Sequence, residues 1–170
     1  GAEMLVGELQ DALFARFPRG HAEQWDRPGL SVGDPVAKVE TVACALDPTP
    51  TNVRAAAALG ANVLVTHHPA FLEPPAILTP QASTSSQGGA AVFEAARLGV
   101  SLVAMHTNLD RSEEALDLAA ELLGLKRSDR LVEPDGYGAL LEANGLTLGD
   151  LASRARHAFG TTPTVWGDEG

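Results

Sequence analysis

The sequence has little cysteine, few basic residues and no long hydrophobic run. Cys44 is the only cysteine in 170 residues, so no disulfide can form within the chain, and a reducing compartment is favoured. Lysine and arginine total 12 against 22 acidic residues, and the net charge of −10 disfavours a nucleic-acid or an anionic-membrane partner. No apolar stretch is long enough to cross a bilayer. We therefore expect a cytoplasmic protein with no nucleic acid and no membrane as partner.

Two common catalytic motifs are also missing. The sequence contains neither a Gly-x-x-x-x-Gly-Lys phosphate loop nor a His-Glu-x-x-His zinc motif. Cys44 lies inside an apolar run, where a cysteine is more often a small core residue than a nucleophile.

The hydrophobic pattern predicts strands that alternate with helices. Apolar residues at helical spacing predict helices over 4–17, 52–59, 88–98, 112–123 and 148–159, the last with a capping box of Thr147 and Asp150. Short apolar runs predict strands over 39–46, 63–66, 100–105 and 137–142, and a last strand beginning at 165–166. We interpret 25–34 as a loop or hairpin, and 70–87 as a long surface loop. This alternation predicts one α/β domain over residues 1–170, with a mostly parallel or mixed sheet flanked by helices.

The most informative stretch runs from Val63 to Pro69, where an apolar strand leads into His67 and His68. Pro69 cannot donate to a ladder, so the strand should end at the histidines. Side chains alternate along a strand, so the two rings are expected on opposite faces, where they could serve two ions, or one ion and an orienting partner. Taken alone, a His-His pair is more often one loop histidine and one packed histidine.

Three predicted strands end in polar side chains that should meet at one edge of the sheet. Asp47 follows the first strand, the two histidines follow the second, and His106 and Asp110 follow the third. Imidazole and carboxylate are ligands that zinc, iron, manganese and nickel accept. Each residue also has a simpler interpretation: Asp47 in a turn, Asp110 as a helix N-cap with Glu113, and His106 as a group that orients a neighbour. Their joint position favours a metal site at the carboxyl ends of the strands.

Three segments resemble the NGG-interacting-factor-three-like family, whose members are also called dinuclear metal-centre hexameric proteins or GTP cyclohydrolase 1 type 2 homologues. The segments are Ala45 to Pro50, Gly60 to Pro69 and His106 to Asp110. A fourth stretch, from Trp25 to Asp34, looks like an early motif of the same family, although Arg27-Pro28 departs from its usual Asn-Val. The match covers nearly the whole chain in order.

The resemblance implies a centre of two divalent ions per complete site, with His67, His68 and Asp110 as ligands and Asp110 bridging. It implies a homo-oligomer, a hexameric toroid, and a metal-dependent hydrolase that acts on a small molecule such as a nucleotide or phosphoester. Two ions about 3.5–4 Å apart would lower the pKa of a shared water toward about 7. The resemblance puts His106 near the metals but not among their ligands, and it is the candidate proton shuttle. The alternative is a non-catalytic, ring-forming metal-binding scaffold.

The family also supplies a His-x-x-x-Glu pair from a C-terminal stretch that has no counterpart in this sequence. His157 is followed four residues later by Thr161, so it does not match. We therefore expect the chain to be the N-terminal part of a longer family protein. We expect it to hold at most one ion, weakly, and to lack turnover, because few ligands offset the repulsion between two dications. We also expect residues 73–89 to be mobile and to gate access to the site.

Overall fold

A computed structural model describes residues 3–81 and 86–168. The chain divides into two compact units, Gly1–Leu109 and Asp110–Gly170, a division that the sequence analysis did not anticipate. The elements of the first unit are α1 (Val6–Arg16), β1 (Gly29–Val32), β2 (Val42–Ala45), α2 (Pro50–Ala58), β3 (Val63–Thr66), α3 (Gln87–Leu98), β4 (Ser101–Ala104) and the helical turn α4 (Thr107–Asp110), whose last residue begins the second unit.

The first unit is built on a four-stranded mixed sheet in the order β1-β4-β3-β2. Strands β2, β3 and β4 run parallel, while β1 is antiparallel to β4. The predicted α/β class, with a mixed sheet flanked by helices, is therefore confirmed. The parallel register places the carboxyl ends of β2, β3 and β4 along one edge.

Apolar side chains cover both faces of this sheet, which explains why β3 and β4 are nearly continuous hydrophobic runs. On one face Leu64 and Leu102 pack in a cluster with Val53 of α2 and Ala95 of α3. On the other face the buried cluster consists of Val6, Val63, Val103 and Met105, with side chains of α1 packed against it. Alternation along each strand supplies both clusters from the same short segments.

Strand β1 lies within the stretch predicted as a loop or hairpin, and pairs Gly29 with Ala104 and Leu30 with Val103. Gly29 has φ +98°, which other residues rarely adopt, and a Cβ there would lie 2.8 Å from Phe14 of α1 and from Arg19, so both the backbone and the packing favour glycine. The turn-forming composition concealed this strand.

Strand β2 is at the edge of the sheet, and this position corrects the interpretation of Cys44. Ala43 and Ala45 pack against the helical layer of α2 and α3, whereas Val42 and Cys44 are exposed. Cys44 is therefore not a core residue, because it lies at the edge of the sheet, exposed on the face opposite Ala43 and Ala45.

The second unit contains α5 (Glu113–Leu122), β5 (Arg127–Arg130), β6 (Ala139–Leu141) and α6 (Leu148–Phe159). Strands β5 and β6 form an antiparallel pair. The predicted capping box of α6 is confirmed, because Thr147 Oγ1 accepts from the Asp150 N–H at 3.1 Å and the Asp150 carboxylate accepts from the Thr147 N–H at 3.0 Å.

Two predictions for the second unit are wrong. The N-cap of α5 is Ser112, whose Oγ accepts from the Ala115 N–H at 3.1 Å, and not Asp110, which closes α4. Val165 and Trp166 lie in irregular backbone and form no strand. Strand β5 was missed because its sequence, Arg-Ser-Asp-Arg, lacks the alternation of apolar and polar residues that marks a half-buried strand.

The remaining predicted helices and strands are confirmed to within a few residues at their ends. The predicted loop over 70–87 ends one residue early, because α3 begins at Gln87, and residues 82–85 of it lie outside the described residues. A gating role for 73–89 stays a prediction. In the part of the chain that the structure describes, no helix is both long and apolar enough to span a bilayer.

Candidate metal centre

Three histidines converge at the carboxyl edge of the sheet. His67 and His68 follow β3, and His106 follows β4. One possible ligand atom from each ring lies within 4.8 Å of the others. The ring centroids are 5.1 Å apart for His67 and His68, 5.2 Å for His67 and His106, and 5.6 Å for His68 and His106. We call these three residues the histidine cluster.

The two adjacent histidines face the same cluster, so the prediction that they lie on opposite faces is wrong. Strand β3 ends at Thr66, and the alternation of a strand no longer applies beyond it. Thr66 Oγ1 donates to the His68 carbonyl at 2.6 Å, and the His68 N–H donates to the Leu46 carbonyl at 3.0 Å. These bonds bend the chain and bring both rings to one side.

Hydrogen bonds fix the orientation of the first two rings. The Nδ1 atom of His67 lies 2.9 Å from the Met105 carbonyl, and that of His68 lies 2.6 Å from Asp47 Oδ1. Both oxygens can only accept, so each Nδ1 carries a proton and the lone pair of the neutral ring resides on Nε2. Histidines that bind metals commonly have this arrangement, with Nδ1–H donating to a carbonyl or carboxylate. The sequence predicted Asp47 at this edge, and the structure adds its contact with His68.

The third ring, His106, is held by a carboxylate from a distant part of the chain. Its Nδ1 lies 3.0 Å from Asp26 Oδ1, across 80 residues of sequence. The Asp26 side chain is fully buried and also accepts from the N–H groups of Arg27 at 2.7 Å and Thr107 at 3.0 Å, and from the Thr107 hydroxyl. Burial raises the pKa of Asp26, but the hydrogen bonds from Thr107, His106 and Arg27 outweigh burial and hold that pKa below its ordinary value. Asp26 is therefore a carboxylate.

Sequence reasoning missed the role of Asp26. Both Trp25 and Asp26 belong to the early family motif, but no signal in the sequence connects Asp26 with His106, which lies 80 residues away. Trp25 adds a half-exposed indole beside the same ring, edge-on to His106 with centroids 6.1 Å apart.

Asp110 is the predicted site residue that is not part of the histidine cluster. It is the last residue of α4 and the first residue of the second unit. Its role as a bridging ligand stays a prediction, as does the role of His106 as proton shuttle.

A cavity of about 360 Å³ adjoins the histidine cluster in the first unit. His68 and Asp47 contribute to its wall from the cluster side, so a small molecule bound there would lie against the imidazole. The rest of the wall consists of Pro48, Thr49, Pro69, Ala70, Gln87 and Gly88.

The stretch Gly29 to Gly33 has the spacing Gly-x-Ser-x-Gly, but it does not form a nucleophile elbow. Such an elbow requires the serine at a sharp turn from strand to helix. Ser31 lies instead within β1, where its hydroxyl is 3.5 Å from the Leu102 carbonyl. The local structure therefore gives no support to serine-based hydrolysis.

Together the fold and the histidine cluster define an α/β protein with a candidate metal site at the carboxyl edge of a mixed sheet. The family model Duf34/NIF3 (NGG1p interacting factor 3) matches residues 4–169, and the chain belongs to this family. The resemblance noted from the sequence is thereby confirmed.

Curated relatives carry the name "GTP cyclohydrolase 1 type 2 homolog". The protein of Streptomyces coelicolor is 34% identical over 166 residues, which cover 92% of this chain and 57% of that protein. The protein of Clostridium acetobutylicum is 28% identical over 162 residues, which cover 91% of this chain and 59% of that protein. The chain thus spans less than two thirds of the length of these relatives.

Solved structures agree with the family and the fold. A Bacillus cereus protein related to NIF3 superposes with a TM-score of 0.67 at 28% identity, over 78% of this chain and 36% of that one. Reduced HcgD from Methanocaldococcus jannaschii gives a TM-score of 0.76 at 24% identity, over 92% of this chain and 60% of that one, and supports the fold alone.

Proposed function

We propose that this chain carries the metal-binding residues of a divalent-metal-dependent hydrolase that acts on a nucleotide or another phosphoester. The observation that supports this most is the histidine cluster, in which every ring presents its Nδ1 to an acceptor oxygen. Three imidazoles that each offer one nitrogen within 4.8 Å of the others are a donor set that zinc, iron, manganese and nickel accept. The residues therefore fit a divalent ion.

The proposed ligands are His67 and His68, with Asp110 as the bridging carboxylate that the family resemblance implies. His106 has two proposed roles, as a third imidazole ligand and as the carrier of a proton to or from the substrate. Its side chain is only 17% exposed, and its spacing from the other two rings favours the first role.

The protein groups orient the site before anything binds. Asp47 and the Met105 carbonyl hold two rings in place, so little ordering is left for binding to impose. A divalent ion bound there would supply Lewis acidity and lower the pKa of a water molecule toward about 7. The cavity beside His68 offers space for a substrate, and the exposed indole of Trp25 is a surface on which a planar base could stack.

The test is a titration of the metal-free chain with Zn²⁺ and Mn²⁺ by calorimetry, followed by a panel of nucleoside triphosphates with and without the metal. We expect one weakly bound ion per chain, lost in His68→Ala, and no turnover by this chain as it stands. Turnover that requires added metal would favour the hydrolase over the scaffold. His157→Ala, on an exposed part of α6, is the matched control and should bind like the wild type. Equal metal binding by wild type and His68→Ala would contradict the proposed site, and two tight ions would contradict the expected stoichiometry.

A second candidate function is a non-catalytic, ring-forming scaffold, proposed as a homohexamer. The observation that favours it is the apolar, exposed side of the edge strand β2 and the loop after it, formed by Val42, Cys44 and Leu46, because exposed edges of this kind pair with other chains. Metal binding without turnover, in an oligomer whose mass His67→Ala leaves unchanged, would support the scaffold over the hydrolase.

A further inference from the structure

The proposed function uses Asp26 only as one of the acceptor oxygens beside the rings and gives its buried carboxylate no role of its own. We propose that Asp26 is a positioning residue: it holds His106 as the Nδ1–H tautomer, so that Nε2 presents its lone pair to the histidine cluster. The metal-binding part of this inference rests on the proposed function, whereas the tautomer itself does not.

The contacts of Asp26 make it an obligatory acceptor. Oδ1 faces Arg27 N–H and His106 Nδ1, and Oδ2 faces the N–H and the hydroxyl of Thr107. The Thr107 hydroxyl in turn accepts from the Glu23 N–H at 2.9 Å, so its own proton is directed at Asp26. A carboxylate is acceptor-only, and its contact with His106 is satisfied when Nδ1 carries the proton.

Burial makes this arrangement rigid. The Asp26 side chain is 0% exposed and that of His106 is 17% exposed, so solvent does not readily replace either partner. The corresponding contact of His68 is less rigid, because its partner Asp47 is 46% exposed and can exchange that contact with water. His106 is therefore the ring whose tautomer depends most on a single side chain.

The substitution Asp26→Asn has a specific consequence. Its amide has one accepting oxygen, and the better position for that oxygen is beside Thr107, because Thr107 is 4% exposed and would otherwise leave a buried N–H unpaired. The exposed Arg27 can turn its N–H to water. The amide NH₂ then faces His106 Nδ1, which must become an acceptor, and the proton moves to Nε2, where it blocks the lone pair that a metal would use.

The first readout is the tautomer of His106 in the metal-free protein at pH 8, from two-bond ¹⁵N–¹H correlation of histidine rings, with His106→Gln used for assignment. We expect an Nδ1–H pattern in the wild type and an Nε2–H pattern in Asp26→Asn. Asp34→Asn makes the same chemical change at an exposed turn, where Asp34 accepts only from nearby backbone, and should leave the pattern unchanged.

The second readout is Zn²⁺ affinity, which we expect to fall about 10- to 100-fold in Asp26→Asn and to stay at the wild-type value in Asp34→Asn. An Nε2–H pattern in the wild type would overturn the inference without any variant, and so remains decisive if Asp26→Asn does not fold. An Asp26→Asn protein that keeps the Nδ1–H pattern would also overturn it. A wild type that shows Nδ1–H and binds no Zn²⁺ would contradict the proposed function but support the role of Asp26 in setting the tautomer.

Discussion

The two units of the chain are stabilised by different interactions. In the described part of the chain, all but two of the buried hydrophobic residues belong to the first unit, where they cover both faces of the sheet. The two in the second unit are Leu116 and Ala120. The first unit therefore depends mainly on burial of apolar surface, which is the larger stabilising term in most domains.

The second unit relies on arginine instead. Glu113 accepts from both Arg127 and Arg130, and Arg127 also donates to Asp117 at 2.7 Å. Arg130 is 7% exposed and donates to the carbonyls of Arg111 at 3.0 Å and Gly136 at 2.6 Å. The comparison shows how one chain combines a unit stabilised mainly by apolar burial, which carries the histidine cluster, with a unit whose exposed ion pairs respond to pH and salt.

The largest expected effect is in the core of the first unit. Leu64→Ala removes a side chain that is 1% exposed, and should lower the free energy of unfolding by about 2–5 kcal/mol, because it leaves a cavity between the sheet and its helices. Urea unfolding followed by circular dichroism measures the loss, and hydrogen exchange locates it. Leu59→Ala, at a residue 79% exposed, is the control and should change stability by less than about 0.5 kcal/mol. Similar losses in both variants would contradict the apolar account of this unit.

A smaller effect is expected at Arg130. Arg130→Ala leaves two carbonyls without their donor and should destabilise the second unit by about 2 kcal/mol, seen as faster hydrogen exchange in its peptides. Arg156→Ala, on the exposed side of α6, should have little effect. Arg130→Lys keeps the charge but loses the planar fork, so full recovery in that variant would show that charge alone matters.

The smallest effect concerns pH. Hydrogen bonds from Arg130 and then Arg127 hold the pKa of Glu113 below its ordinary value of 4.5. Because this pKa is lowered on folding, Glu113 stabilises the folded state at pH values above its ordinary pKa. That contribution is lost as the pH falls from about 4.5 through the folded-state pKa. Because the Glu113 side chain is 63% exposed, we expect its ion pairs to contribute less than about 1 kcal/mol to the free energy of unfolding. From pH 5 to pH 3, the hydrogen-exchange protection factors of the second unit should fall more steeply in the wild type than in Glu113→Gln. Parallel profiles would exclude the ion pair as the cause.

Local pattern was sufficient for the strands that are continuous apolar runs. The apolar run Val63 to Thr66 predicted β3, and the expected parallel sheet correctly placed Asp47, the two histidines and His106 at one edge. Strand β5 was beyond that reasoning, because its residues are charged and it is held by arginine contacts that hydrophobic periodicity does not detect.

The sequence could predict the site residues that directly follow a strand, but not the contacts that orient them. The convergence of His67 and His68 depends on a bend made by Thr66 and Leu46, which a strand pattern does not describe. The contact of Asp26 with His106 joins positions 80 residues apart, and neither the spacing nor the composition of either segment specifies that pairing. The ligand types were thus accessible from the sequence, whereas the groups that orient them were not.

The exposed thiol of Cys44 offers a single site for attaching a spectroscopic label to this chain. It is the only thiol in the sequence, it stands on the edge strand, and it pairs in register with Val65, two residues before His67. A nitroxide or fluorophore attached there would mark a single place close to the histidine cluster, without removal of any competing cysteine. Quenching or line broadening of that label would then report the arrival of a paramagnetic ion, or the approach of a second chain to the edge of the sheet.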